Sequence, residues 1–259
     1  METTLPGAVA LDRRGAVLTL KLNRPAKKNA LTAAMYSRLV EALDEAQRDD
    51  EIRAVLISGS EDSFTSGNDV GDFLQHPPAG PDSSVFGFLA AISTFEKPLV
   101  AAVNGLAIGI GTTLLLHCDL VYAAQNAVFR LPFIDLALVP EAASSLLLPQ
   151  MMGHVRAAEL LLLGEAFSAA KAERYGLVNE VVPAAELESL ALSKATALSC
   201  KAPEALRLSK RLMKQANNAV LEQVMAEEGK LFAERLTSPE AKAVMQAFIE
   251  KGKKREENV

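Results

Sequence analysis

Two glycine-bearing turns, each just past a strand-like run, carry the clearest chemical signal in the chain. Residues 104–119 read NGLAIGIGTTLLLHCD and follow the run LVAAV. Gly105, Gly109 and Gly111 crowd a stretch that is otherwise mostly small, apolar or threonine. Glycine lets a backbone turn tightly or pass close to a ligand. The N–H groups of such a strand-to-helix turn can point at a negative oxygen. Residues 63–72 read SFTSGNDVGD and follow AVLISGS, so Gly67 also sits among small polar residues past a strand-like run. Two such turns can each give one N–H to a shared oxygen, and losing one donor of an oxyanion pair costs on the order of 100- to 1000-fold in rate. For either segment alone, a tight turn packed on a neighbouring element is the alternative reading.

Other groups offer less. His76, His117 and His154 are scattered, and Cys118 and Cys200 lie far apart with no metal-type spacing, so no metal site is expected. His117 and Cys118 fall in an apolar run and read as packed core residues.

The string FTSGND resembles the (A/S)-G-x-D oxyanion segment of the crotonase superfamily, the enoyl-CoA hydratase/isomerase family. NGLAIGIG with the downstream CDLVYAA resembles its second oxyanion segment. LNRPAKKNALT (residues 22–32) is similar to its first CoA-binding loop. GEAFSAAKAERYGLVNEVVP and APEALRLSKRLM are similar to its later helical segments. The resemblance keeps the family's order from about Val9 to Lys251. It implies a ββα superhelix core over residues 1–195 and a helical region over 196–259 that builds a trimer or a dimer of trimers. It implies an acyl-CoA thioester as substrate and no further cofactor. The backbone N–H groups of Asn68 and Ile110 match the two donor positions. Thr65, Ser66, Gly67, Asp69, Val70 and Gly109 belong to the same segments and, with Lys27, form the expected substrate-binding set. Asp69 is expected to fix its turn by accepting backbone N–H bonds. Lys28 and Lys251 are further candidates for the CoA phosphates. Phe73, Leu74 and the loop 75–84 are expected along the acyl tail.

Hydratases of this family use two glutamates, and Thr113 and Phe133 stand at those places. Neither can do carboxylate acid/base work. A carboxylate appears instead at Glu141, where the Δ3-Δ2-enoyl-CoA isomerases, especially the peroxisomal type, carry their base; VPEAASSLLLPQMMG resembles that branch. Leu138, Val139, Pro140, Ala142 and Ala143 flank Glu141 without charge. Desolvation among them would raise its pKa and make it a stronger base. A surface glutamate at the start of a helix is the alternative. Asp135 is the second candidate carboxylate, with a solvated loop acid as its plainer reading. The resemblance thus implies that Glu141 removes a proton from C2 of a 3-enoyl-CoA and returns it at C4. Another acyl-CoA reaction on the same scaffold, or acyl-CoA binding without turnover, remains an alternative.

Such groups need a scaffold. A chain of 259 residues, 49% hydrophobic and 23% charged, can bury a full core in one large domain or a core with a helical appendage. A net charge of −5 implies no general affinity for nucleic acid or anionic membrane. The apolar stretches are too short or too interrupted to span a bilayer. The first residues, METTLPGAVALDRRG, show no basic start followed by an apolar run, and two cysteines suit a reducing cytoplasm. Strands are expected at 17–22, 54–58, 99–103, 120–123 and 127–130. Helices are expected at 32–48 with Thr32 as N-cap, 85–95, 112–118, 146–152, 156–163, 169–175, 184–198 and 203–248. Leu146, Leu147, Leu148 and Leu160 to Leu163 offer more apolar surface than one helical layer buries, which suggests an interface.

Overall fold

Alternation of apolar residues builds a sheet that is buried on both faces. The computed structural model describes residues 7–60, 62–75 and 83–256. Val9–Arg14 (β1) and Val17–Leu22 (β2) form an antiparallel hairpin turned at Gly15, where φ is 61°. Then follow α1 (Ala33–Arg48), β3 (Ala54–Gly59), β4 (Ser63–Thr65), α2 (Val70–Gln75), α3 (Ser84–Thr94), β5 (Leu99–Val103), β6 (Leu106–Ile108), α4 (Ile110–Thr113), β7 (Leu120–Ala124) and β8 (Val128–Arg130). The rest is α5 (Ser144–Met152), α6 (His154–Leu163), β9 (Phe167–Ser168), α7 (Ala169–Arg174), β10 (Glu180–Val182), α8 (Ala184–Ser199), α9 (Pro203–Gln215), α10 (Asn218–Leu236) and α11 (Pro239–Glu256).

The larger sheet runs β1-β2-β3-β5-β7-β10 and the smaller β4-β6-β8-β9. Repeatedly the chain makes a strand of the large sheet, a short strand of the small one, and then a helix: β3–β4–α2, β5–β6–α4, β7–β8–α5. Equivalent strands of successive turns pair in parallel, β3 with β5 and β5 with β7, β4 with β6 and β6 with β8. This is the ββα superhelix that the resemblance implies. One face of the large sheet sends Leu18, Leu20, Val55, Ile57, Leu99 and Ala101 into the main core. The other sends Val17, Ala54, Leu56, Val100 and Tyr122 against Leu187, Ala191 and Ala195 of α8. Period-2 side chains covered on both faces give the near-continuous apolar runs of a parallel sheet.

Several expectations shift. β1 has no counterpart in the sequence reading, because its VALDRR carries three charges; it lies at a sheet edge, where they are tolerated. The run 112–118 forms a single α turn and then a 3-10 turn, Leu114–His117. The long helix expected from Pro203 onward is three helices. Ser238 caps α11 by accepting from the Ala241 N–H, with Pro239 directly after it, a start signal the apolar periodicity obscured. These helices fold back on the core, to which Phe232, Leu236, Ala241 and Met245 belong. Leu148, Leu160 and Leu161 are likewise buried within this chain, whereas Leu162 and Leu163 are 64% and 58% exposed. Among the described residues, no helix is long and apolar enough to cross a membrane.

Candidate active site

Parallel pairing of β4 and β6 lays the two glycine turns side by side. The contacts between them admit no side chain at two points. A Cβ on Gly67 (φ 92°) would lie 2.9 Å from the Ile108 carbonyl oxygen, and one on Gly111 would lie 2.6 Å from Thr65 Cγ2. Asn68 forms an isolated parallel bridge with Leu31: the Leu31 N–H donates to the Gly67 carbonyl (2.8 Å) and the Asp69 N–H to the Leu31 carbonyl (2.9 Å). Such a bridge uses the groups that flank Asn68, so the Asn68 N–H faces the other way. Ile110 is the first residue of α4, and a first-turn N–H has no partner in its own helix. Gly109 precedes it at φ 55°, ψ −117°, a conformation suited to glycine, and a Cβ there would meet nothing within 4 Å. Among the described residues, neither the Asn68 nor the Ile110 N–H is engaged by a backbone carbonyl outside regular elements.

The loop that resembles a CoA-binding segment is tied to the first of these turns. Asn29, fully buried, accepts from Arg24 N–H (2.8 Å) and donates to the Ser63 carbonyl (2.6 Å). The Thr65 hydroxyl donates to the Asn29 carbonyl (2.7 Å) and accepts from the Gly67 N–H (3.1 Å), so Thr65 holds the loop from inside rather than offering its side chain to a ligand. Ser66 binds the Lys28 carbonyl through its N–H (2.9 Å) and the Lys27 carbonyl through its hydroxyl (3.3 Å). Asp69 accepts from the Gly71 and Asp72 N–H groups (3.1 and 3.2 Å) and from Arg24 (2.6 Å). Partial burial pushes its carboxyl up, but Arg24 and the amides outweigh this and hold it below the usual value. Val70 begins α2 half-buried. Lys27 is exposed at the end of a 3-10 turn, while Lys28 is paired with Asp62 at 2.9 Å. Phe73 is buried and meets Phe232 edge-on, with ring centroids 6.2 Å apart. The side chains of Leu74 and Lys251 and the loop residues 76–82 lie outside the described residues.

Glu141 is buried, 3% exposed, so the surface reading does not describe it. The two residues after it, Ala142 and Ala143, adopt left-handed backbone (φ 59° and 54°) before α5 begins. Its Oε1 accepts a long bond of 3.5 Å from the Thr113 hydroxyl on α4, the helix that begins with the Ile110 amide. Burial pushes the Glu141 carboxyl up to about 8, the charge of Glu228 adds to the rise, and Thr113 opposes it. A carboxyl that titrates near neutral pH is suited to taking and returning a proton. Tyr36 on α1 donates from its hydroxyl to the Asn68 side-chain oxygen. Burial raises this phenol well above its ordinary value, and the charge of Glu141 raises it further.

Asp135 is exposed and paired with Arg130 at 2.8 Å, which fits the plain loop-acid reading. His117 is packed as expected; its Nε2 meets the Ala142 carbonyl at 2.9 Å and burial lowers it to about 4. Cys118 is pushed up to about 12 by burial, an inert thiol. Among the described residues no three His, Cys, Asp or Glu converge as metal ligands. The sequence reading missed Tyr36 and Glu228. Tyr36 shares a stripe with Leu39 and Leu43, and the hydroxyl on that apolar stripe was the available sign. Glu228 lies in a charged run, MAEEGK, that shows none.

The sequence profile of the enoyl-CoA hydratase/isomerase family matches residues 12–258. Enoyl-CoA delta isomerase 2 of Homo sapiens is 35% identical over 245 residues, 92% of this chain and 62% of its own length. The chain therefore spans less than two thirds of that relative. The 2,3-dehydroadipyl-CoA hydratase of Escherichia coli (strain K12) is 34% identical over 242 residues, 93% of this chain and 95% of its own. The solved structure of Pseudomonas aeruginosa OdaA has a TM-score of 0.92 at 50% identity, covering 94% of this chain and 99% of that one. With this match over nearly its whole length, the chain belongs to the enoyl-CoA hydratase/isomerase family.

Proposed function

We propose that the chain isomerises a 3-enoyl-CoA to the 2-trans-enoyl-CoA. The reading is carried by Glu141, a buried carboxyl beside the helix that begins with the Ile110 amide. The thioester carbonyl accepts bonds from the Asn68 and Ile110 N–H groups. Glu141, as carboxylate, takes a proton from C2. The C–H electron pair moves into conjugation and leaves a dienolate, whose charge the two amides stabilise. The carboxylic acid then returns that proton to C4, and the double bond ends between C2 and C3. One base serves because C2 and C4 of a bent chain share a face, and no water is added. The thioester is substrate; the chemistry needs no further cofactor or metal. Gly67 and Gly109 let the thioester approach the two amides, Thr65, Ser66, Asp69 and Val70 hold that loop in place, and Lys27 faces the CoA phosphates as a point charge.

Thr113 and Phe133 support isomerisation over hydration, since neither can activate water. A hydratase reading draws on the Escherichia coli relative, which this chain spans almost end to end. Conversion of 3-trans-hexenoyl-CoA by the native protein and by Glu141→Gln tests the choice. Native turnover with most of it lost in the variant is expected. An unchanged rate would remove Glu141 as base.

We assign the cytoplasm as compartment and a homotrimer or dimer of trimers as assembly. The exposed Val155, Leu162, Leu163, Leu212 and Met213 support the assembly. A monodisperse monomer in light scattering at micromolar concentration would overturn it.

A further inference from the structure

We infer that Glu228 is a positioning residue for Glu141, pinning the strained turn behind it and placing a second, amide-bonded carboxyl group against it. The inference rests on Glu141 being the base. Ala142 and Ala143 hold consecutive left-handed conformations, which L residues adopt only when neighbours impose them. Three contacts impose this one. His117 meets the Ala142 carbonyl, and the Ser144 hydroxyl donates to the Glu141 carbonyl (2.6 Å). Glu228, reaching in from α10, accepts from the Ala143 N–H (2.6 Å) with one oxygen and from the Ser145 N–H (2.9 Å) with the other. Those amides open α5 and have no acceptor in their own helix. Removing the carboxylate leaves the buried Ala143 N–H unpaired, takes the acceptor from the Ser145 N–H, and leaves the Glu141 turn without its brace.

The charge matters as much as the brace. The groups that act on Glu141 come from separate elements: Tyr36 on α1, Thr113 on α4 and Glu228 on α10, with His117 held next to its turn. Tyr36 stays protonated, and burial, with Lys214 and Lys210, keeps His117 neutral. Burial raises both glutamates, but two amide donors favour the ionised form of Glu228, whereas Glu141 has one long hydroxyl bond. The pair therefore keeps its last proton on Glu141, and a carboxylate formed there is a strong base.

Glu228→Gln removes the charge and keeps one acceptor oxygen. With 3-trans-hexenoyl-CoA, the midpoint of the kcat/KM pH profile should fall by about one unit, plateau kcat should drop about three- to tenfold, and KM should hold within about twofold. A brace without electrostatic effect would lower thermal stability and leave the midpoint alone, which overturns the inference. A second readout does not need that variant to fold. In native protein carrying 13C-carboxyl glutamate, the Glu228 resonance should lose its proton at lower pH than Glu141, whose resonance is the one missing in Glu141→Gln, and it should shift again as Glu141 ionises, because the coupling is mutual. A Glu228 resonance that titrates after Glu141, or that ignores its ionisation, overturns the inference too. Full activity in Glu141→Gln would instead defeat the reading of Glu141 as base.

Discussion

The Tyr36 hydroxyl donates to the side-chain oxygen of Asn68, the residue whose backbone N–H faces away from its bridge to Leu31. Helix α1 is thereby fastened to the first glycine turn at the point where that turn would do chemistry. Tyr36→Phe keeps the ring in the core and deletes the bond. Asn68 then loses a partner, worth about 1 kcal/mol. Turnover should fall roughly tenfold, since the donor amide shares its residue with the loosened side chain. KM should barely move. Steady-state kinetics and a thermal melt on the same preparation check this; a melting shift with unaltered kcat would make the bond purely structural.

Hydration should lag far behind isomerisation. Each acid/base contribution is worth roughly 100- to 10,000-fold, and Thr113 and Phe133 replace both water-activating carboxylates. Hydration of 2-trans-hexenoyl-CoA should trail isomerisation of 3-trans-hexenoyl-CoA by at least about two orders of magnitude in kcat/KM. Comparable rates with matched six-carbon substrates would mean that Glu141 recruits water unaided.

The bond from Thr113 favours the charged form of Glu141. Thr113→Val preserves the shape and withdraws the hydroxyl. The apparent pKa of kcat/KM should rise by roughly half a unit, as expected for loss of one weak neutral donor. A fall would show that the hydroxyl was not bonded to the base.

Glu141 also sets a stability profile. Its folded pKa of about 8 lies above its ordinary 4.5, so between these values the folded chain holds a proton that the unfolded chain has released. Stability from this group is complete below the lower value and is lost as pH rises through the upper one. Glu141→Gln cancels the loss. Relative to the native protein, the variant should gain on the order of 3–5 kcal/mol between pH 5 and pH 9. Denaturant titrations at both pH values measure it, and parallel profiles would refute a buried, protonated Glu141.

Gly111 tests the fit of the two turns. Its Cβ would press on Thr65 Cγ2 at 2.6 Å, and Thr65 cannot retreat because Asn29 holds it. Gly111→Ala should wedge β4 from β6, lowering stability by about 1–3 kcal/mol, the usual range for overpacking. Activity should fall with it, as the spacing of the two amides changes. Native activity and melting temperature in the alanine variant would mean the contact relaxes freely.

The periodic part of the molecule was legible from its residues. Leu99–Val103 announces a strand as a short unbroken apolar run, and the Leu39–Leu43 stripe announces a helix because its burial recurs at helical spacing. The short strands β4 and β6 were not, since three residues carry no period; only the glycines at their ends marked them. Glu141 stood out through the resemblance of VPEAASSLLLPQMMG to the isomerase branch, with its uncharged flanks as support. Its electrostatic partner did not, because Glu228 acts from 85 residues away from Ala143, and no local pattern encodes a contact of that reach. The paired leucines misled in part, because Leu160 and Leu161 face the chain's own core while the adjacent Leu162 and Leu163 face outward.

That reach has a consequence for how the protein is made. Synthesis runs from the N-terminus, and domains form as their residues emerge. The two glycine turns lie early, between β4 and α4. The carboxylate that braces the Glu141 turn arrives only with α10. A nascent chain can thus assemble the sheets and the paired glycine turns while Glu141 still hangs on an unbraced turn. The brace on that turn comes only after both sheets have been made, once α10 has left the ribosome.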